Sequence, residues 1–161
     1  MEILDIINQK KEIIGKAPRN EIYAKKLPHK IVHTHLFNKK GELALQLRGP
    51  KSTFCPFHWG PTSGGHVASG ELNKDAALRE FKEELGTSSS IVFQSEDWYE
   101  YNGLKKLLIS YKAEYEGPFT LEPGKVEKVE FFSLPKIKEM IDSGEKFHPE
   151  LLFLLKTHFF K

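Results

Sequence analysis

One stretch constrains this 161-residue chain more than any other: GGHVASGELNKDAALREFKEELGT, starting at Gly64. Three glutamates, Glu80, Glu83 and Glu84, recur at i, i+3 and i+4. That spacing places them on one face of a helix. Ala77, Leu78, Phe81 and Leu85 fall on a neighbouring face as an apolar stripe at about 100° per residue. Asn73 is expected to cap the helix, because its side chain can accept a bond from a free first-turn amide. Asp75 suits the positive end of the helix dipole. Gly86 suits a left-handed ending. Three carboxylates on one face repel each other, which makes little sense as a stabilising device. They do suit a hard divalent cation that takes oxygen ligands.

The stretch is more than an acidic helix. From Gly65 it runs five residues to Glu71, seven more to Arg79-Glu80, then Phe81, one residue, Glu83-Glu84, one residue and Gly86. Every fixed glycine and polar position of this spacing resembles the Nudix box. Only Thr87 departs, standing where an aliphatic residue is usual. The resemblance covers roughly residues 29–160. It implies an α/β fold, the Nudix α/β/α sandwich, with a mixed curved sheet between helices and the box forming loop–helix–loop. It implies hydrolysis of a diphosphate linkage in a nucleoside diphosphate derivative or related small molecule. Mg²⁺ is the implied cofactor, with Mn²⁺ as a substitute. The N-terminal hairpin, the LFNKKGELALQLR stretch and the later FFSL resemble Nudix proteins related to isopentenyl-diphosphate isomerase.

By that resemblance Glu80 and Glu84 are the firmest metal ligands, and Glu83 is a further ligand or the base. The backbone carbonyl of Gly65 is a candidate ligand. Arg79 is expected to orient a glutamate by a charge-assisted bond, and Glu71 to brace the loop or join the site. Arg48 and Lys51 flank a glycine-proline turn and are candidates for gripping the diphosphate. Trp59 is a candidate for stacking on a base, whereas Phe57 is expected to pack in the core. Trp98, Tyr99 and Tyr101 are expected to pack across strands. Related sequences often carry a glutamate where Lys125 stands. Lysine has only donors and cannot ligate a cation, so Lys125 is a candidate phosphate contact. Period-two alternation makes Glu127 the candidate carboxylate on the same face, with Glu130 on the opposite one.

The rest of the chain sets the frame. Hydrophobic content of 39% and charged content of 29% read as a globular domain long enough for a core. A net charge of +2 with interspersed signs argues against a nucleic-acid surface. The single cysteine, Cys55, rules out an intramolecular disulfide. No apolar run reaches membrane length and the first residues lack a leader's pattern, so an intracellular, cytoplasmic enzyme is expected. A homodimer is left open. Residues 3–7 and 12–17 predict a hairpin, and Pro18–Pro28 a polar connector. Residues 1–28 are therefore taken as an extension and 29–161 as the Nudix domain. Residues 30–37 and 42–48 predict a second hairpin, 49–62 a loop, and 64–67 a short strand. Strands 91–101 and 104–115 should join at Asn102-Gly103. A strand over 125–132 and helices over 135–143 and 149–160 complete the pattern. His33 and His35 share a face of the first long strand, and an exposed position is expected for them rather than zinc ligation.

Two other functions compete. The related isomerase has its proton-transfer cysteine where this chain has Gly64. Of its metal histidines, two match His29 and His66, but a third falls on Ile22, and its strand acid falls on Lys125. A catalytically silent Nudix domain would be expected to have lost box glutamates, and none is lost here.

Overall fold

The computed structural model describes residues 2–160. In chain order the elements are β1 (Ile3–Ile7), β2 (Ile13–Pro18), α1 (Arg19–Ala24), β3 (His29–Phe37), β4 (Leu43–Arg48), β5 (Trp59–Gly60), β6 (Ser63–His66), α2 (Asn73–Leu85), β7 (Val92–Tyr101), β8 (Leu104–Glu114), β9 (Val126–Phe132), α3 (Leu134–Asp142) and α4 (Pro149–Leu154). A π-helical turn, Leu155–Phe159, continues α4, where a regular helix to residue 160 was expected.

Strand β3 is the axis. It is buried along nearly its whole length on both faces, although His29, His33, Thr34 and His35 break the apolar run that such a strand usually shows. It pairs in parallel with β8 and antiparallel with β6. The large sheet runs β5-β4-β3-β8-β7, with β6 added to β3 and β9 to β4. On one face Val32, Leu36 and Ala44 pack under Ala77, Phe81 and Leu85 of α2. On the other, Leu43 and Leu45 pack under Ile137 of α3 and Leu151 of α4. This is the α/β/α sandwich with a mixed sheet, and the N-terminal hairpin β1–β2 stands beside it.

The hairpin expected from residues 30–37 and 42–48 survives only at Phe37↔Leu43. Beyond that pair the strands splay, because β3 takes β6 and β4 takes β5 and β9. Thr62, fully buried, fills the fork: its hydroxyl donates to the Ala44 carbonyl and accepts from the Leu36 amide. The expected connector before Pro28 is helical over Arg19–Ala24, held down by the buried Ile22. Asn73 does not cap α2. Leu72 takes the cap position in extended conformation, so Asn73 lies one residue too far inside the helix and makes no cap bond.

Gly86 ends α2 at φ 68°, and the β8–β9 loop crosses directly over it. The amides of Thr120 and Glu122 donate to the carbonyls of Leu85 and Glu84, satisfying acceptors that the helix leaves free. A Cβ on Gly86 would lie 2.5 Å from the Thr120 carbonyl oxygen. Gly86→Ala is therefore expected to cost about 2 kcal/mol or more, from left-handed strain plus displacement of that loop. The check is a urea unfolding curve, whose midpoint should fall with unchanged slope.

Candidate functional site

The site begins with the backbone of β6. Gly65 pairs with Val32 and Gly64 with His33. A Cβ at Gly65 would stand 2.4 Å from the Glu80 carboxyl, and one at Gly64 would stand 2.7 Å from the His33 ring. Glycine is required at both places by close approach rather than by an unusual φ. With no side chain on Gly65, Glu80 rests on the strand backbone.

Glu84, one helical turn on, is 9% exposed. It accepts from Gln46 Nε2 at 2.7 Å and from the Gly64 amide at 3.4 Å. Gln46 also donates to the Thr62 carbonyl at 3.0 Å. Burial pushes the Glu84 carboxyl well above the usual carboxylate range, and the hydrogen-bonded Glu80 beside it pushes the same way. Burial also raises Glu80, against opposing bonds to Glu84 and Arg79. Two acids in contact need something positive between them: a shared proton or a cation.

Arg79 holds this arrangement. Its guanidinium forks onto Glu71 at 2.8 and 3.0 Å, reaches Glu80 at 2.8 Å and donates to the His66 carbonyl at 3.1 Å. Glu71 accepts from the Ala68 amide at 3.1 Å, so it ties the loop ahead of α2 to the helix. The bonds from Arg79 hold the Glu71 carboxyl below the usual range.

The third box glutamate does not join the other two. The Glu83 side chain is 51% exposed, with only a 3.5 Å contact to Arg79. Among the described residues no three His, Cys, Asp or Glu side chains converge into a ready metal cage. The expectation of three converged carboxylates is therefore corrected to two. A lone helix places all three on one face, but Gly65 and Gln46 recruit only Glu80 and Glu84.

Three basic residues meet at the adjoining end of the sheet. Arg48 ends β4, donates from Nε to the Phe54 carbonyl at 2.9 Å, and feels the charge of Glu84. The Gly49 amide donates to the Lys125 carbonyl at 2.8 Å, and the Lys51 amide to the Gly124 carbonyl at 2.8 Å. A Cβ on Gly49 would lie 2.3 Å from that Gly124 oxygen, which is why the two loops can lie together. Lys51 and Lys125 are both exposed there. Glu127 is exposed at the start of β9. It has the parity of Val129 and Phe131, which join the core under α2, but it sits at a bulge where the β4–β9 register shifts. Glu130 lies 3.6 Å from Lys128 on the opposite side.

Trp59 is corrected outright. It is 7% exposed in the core on the α3–α4 face, edge-on to Phe132 at 5.3 Å, with its indole N–H on Glu145 at 3.2 Å. Neither ring face is left for a base. Phe57, expected in the core, is instead 55% exposed with φ 59°. Trp98 and Tyr99 pack as expected, while Tyr101 is exposed.

The histidines also differ from expectation. His33 and His35 are buried, not exposed. His33 bonds Glu150 at 3.0 Å, and Lys106 meets the same carboxylate at 2.9 Å. His29 and His66 stack at 5.6 Å beside Tyr23, whose hydroxyl is 2.7 Å from His66 Nε2. Sequence reasoning overlooked Gln46, although it is the one neutral polar residue inside the alternating run ELALQLR. It also overlooked Glu150, Lys106 and Tyr23, for which no local signal exists.

Residues 27–155 match the family profile described as NUDIX domain. A Nudix hydrolase of Listeria innocua is 30% identical over 148 residues, covering 90% of this chain and 88% of its own. One of Escherichia coli is 26% identical over 152 residues, 94% of this chain and 83% of its own. A crystal structure of a Deinococcus radiodurans protein superposes with a TM-score of 0.86 at 22% identity, covering 99% of this chain and all of that one. The NUDIX domain of Shewanella oneidensis NrtR, complexed with ADP ribose, gives 0.64 at 16% identity, over 87% of this chain and 96% of its own. The chain belongs to the Nudix domain family, among its hydrolases.

Proposed function

We propose that this chain is a divalent-metal-dependent hydrolase of a diphosphate linkage, using Mg²⁺ with Mn²⁺ as a substitute. The observation that carries the reading is the buried Glu84 carboxyl set against an Arg79-held Glu80 on the bare backbone of Gly65. Magnesium is commonly bound by one or two carboxylates plus waters and substrate phosphates, so two converged glutamates fit it without a full protein cage. When bound, the ion neutralises charge on the diphosphate and makes water more acidic. Glu80 and Glu84 hold it, with the Gly65 carbonyl as a candidate third ligand. Arg79 fixes Glu80. Glu83, exposed and weakly held, accepts the proton of the attacking water as that water's oxygen bonds to phosphorus and the bridging P–O bond breaks. Arg48, Lys51 and Lys125 bind phosphoryl oxygens.

The branch related to isopentenyl-diphosphate isomerase remains our reading of the ancestry, supported by the N-terminal hairpin. Its chemistry is not retained, because Gly64 offers no acid or base, Ile22 no imidazole and Lys125 no carboxylate. The test is a panel of nucleoside diphosphate derivatives and other diphosphates with Mg²⁺ or Mn²⁺, scored by phosphatase-coupled phosphate release and product mass. We expect hydrolysis that EDTA abolishes; inactivity on every compound would sink the reading. In the same assay Glu127→Gln should weaken the Mg²⁺ dependence and Glu130→Gln should not. Identical curves for both would remove Glu127 and leave Lys125 as the contact on that strand.

A further inference from the structure

We propose that Asp5, in the hairpin ahead of the family-matched residues 27–155, is a positioning residue for the metal-binding carboxylates. This rests on the hydrolase reading above. The five-residue pitch between Gly65 and Glu71 leaves a loop, 67–72, that must hold Glu71 against Arg79 without help from helix or sheet. The hairpin supplies that help. Leu4 of β1 makes a bridge to Ala68, and the Ser69 amide donates to the Ile3 carbonyl at 2.8 Å. Asp5 is 7% exposed. One of its oxygens accepts from the Ser69 hydroxyl at 2.7 Å, and the other faces the Gly70 amide at 3.4 Å. Gly70 sits at φ 83°, a turn that an L side chain would strain.

The connections then run in one direction. Asp5 holds Ser69 and Gly70, and the next residue is Glu71. Glu71 accepts from the Ala68 amide and from Arg79, and Arg79 bonds Glu80. A second tie comes from α1, where Tyr23 meets the His66 ring while the His66 carbonyl meets Arg79. A carboxyl buried at a loop it does not belong to costs solvation unless its acceptors are used. Here both oxygens are spent on that one loop. Residues that orient metal ligands affect metal affinity or activity by about 10–100-fold.

The experiment uses the full chain and two readouts: Mn²⁺ binding followed by EPR of the free ion, and kcat and KM for a hydrolysed diphosphate. Asp5→Ala and Ser69→Ala should each weaken Mn²⁺ binding about tenfold and lower kcat with KM little changed. Asp5→Asn should fall between, because its amide keeps an acceptor for one donor and sets an N–H against the other. Ile22→Val trims a fully buried side chain of the same lobe without touching the loop, and should lower the melting temperature while leaving Mn²⁺ binding alone. If Asp5→Ala does not fold, Ser69→Ala decides, since it removes one hydroxyl only. Variants that melt earlier yet bind Mn²⁺ and turn over like wild type would overturn the proposal while leaving the hydrolase reading standing. A wild-type chain that neither binds Mn²⁺ nor hydrolyses any diphosphate would sink both.

Discussion

Glu84→Gln is expected to lower turnover at least about 100-fold and to raise the melting temperature of the metal-free protein, both for the same reason. A 100-fold loss corresponds to about 2.7 kcal/mol of transition-state stabilisation. The substitution keeps the shape and an acceptor for the Gly64 amide and for Gln46 Nε2. It removes the charge that would hold a cation, and gives Glu80 an N–H donor in place of a competing acid. In the wild type, burial and Glu80 raise the Glu84 pKa well above its unfolded value. The folded state then binds that proton more tightly than the unfolded chain. Its contribution is present below about pH 4.5 and is lost as pH rises through the folded value. Glutamine does not titrate, so the gain should grow with pH and be larger at pH 8 than at pH 5. Calorimetry in EDTA at pH 5 and pH 8 measures it. Glu83→Gln should lose comparable turnover with no shift in melting, because that side chain is half in solvent. A Glu84→Gln enzyme within tenfold of wild type at saturating Mg²⁺, or one that melts earlier at both pH values, would count against the assignment.

What was legible in the sequence was what local geometry decides. Gly86 and Asn102-Gly103 occupy left-handed backbone where their residue types announce it. The apolar stripe of α2 follows from 3.6-residue periodicity, and its burial under the sheet follows from the stripe. Apart from the one-residue offset of the α2 cap, the unexpected features considered next depend on partners distant in sequence. The fork between β3 and β4 requires Thr62 and β6, neither of which leaves a mark on either strand. Trp59 and Phe57 stand two residues apart in a proline-rich loop, and a two-residue strand has no alternation from which to read a face. The box places three glutamates on one helix face, but the choice of two is made by Gly65 and Gln46 from other strands. His33 and His35 fall at alternate positions of β3 as half-exposed strand residues would, yet helices pack against both faces of the strand. Asp5 carries no motif at all, since its meaning is the loop it touches 64 residues later.

Acidification is expected to unfold the protein steeply between about pH 6 and pH 4, driven by histidines that fold in neutral form. Burial lowers His29 and His148 to about 4, and His35 and His66 to about 3. The unfolded chain returns each to about 6.5. Between those values the unfolded chain takes up protons that the folded protein refuses, so stability falls as pH drops below 6.5. Each histidine can withdraw about 3 kcal/mol by pH 4 at 1.36 kcal/mol per pKa unit. A domain of this kind holds about 5–15 kcal/mol in total, so a few such groups suffice. The raised carboxyls of Glu80 and Glu84 act in the opposite sense, gaining stability as pH falls towards 4.5, but they share one site and offset only part of the loss. Glu150, held low by His33 and Lys106, adds to the loss below pH 4.5. His35 is the sharpest case. It is 1% exposed, both ring nitrogens lack a partner among the described residues, and Phe159 packs edge-on at 5.4 Å. A proton there would put two N–H donors against an aromatic ring and the neighbouring His33. His35→Leu removes that titration at similar volume and should move the acid midpoint down by about half a pH unit, following circular dichroism in EDTA. A wild-type midpoint below pH 3, or one that His35→Leu leaves unmoved, would show that these rings are not what fails first.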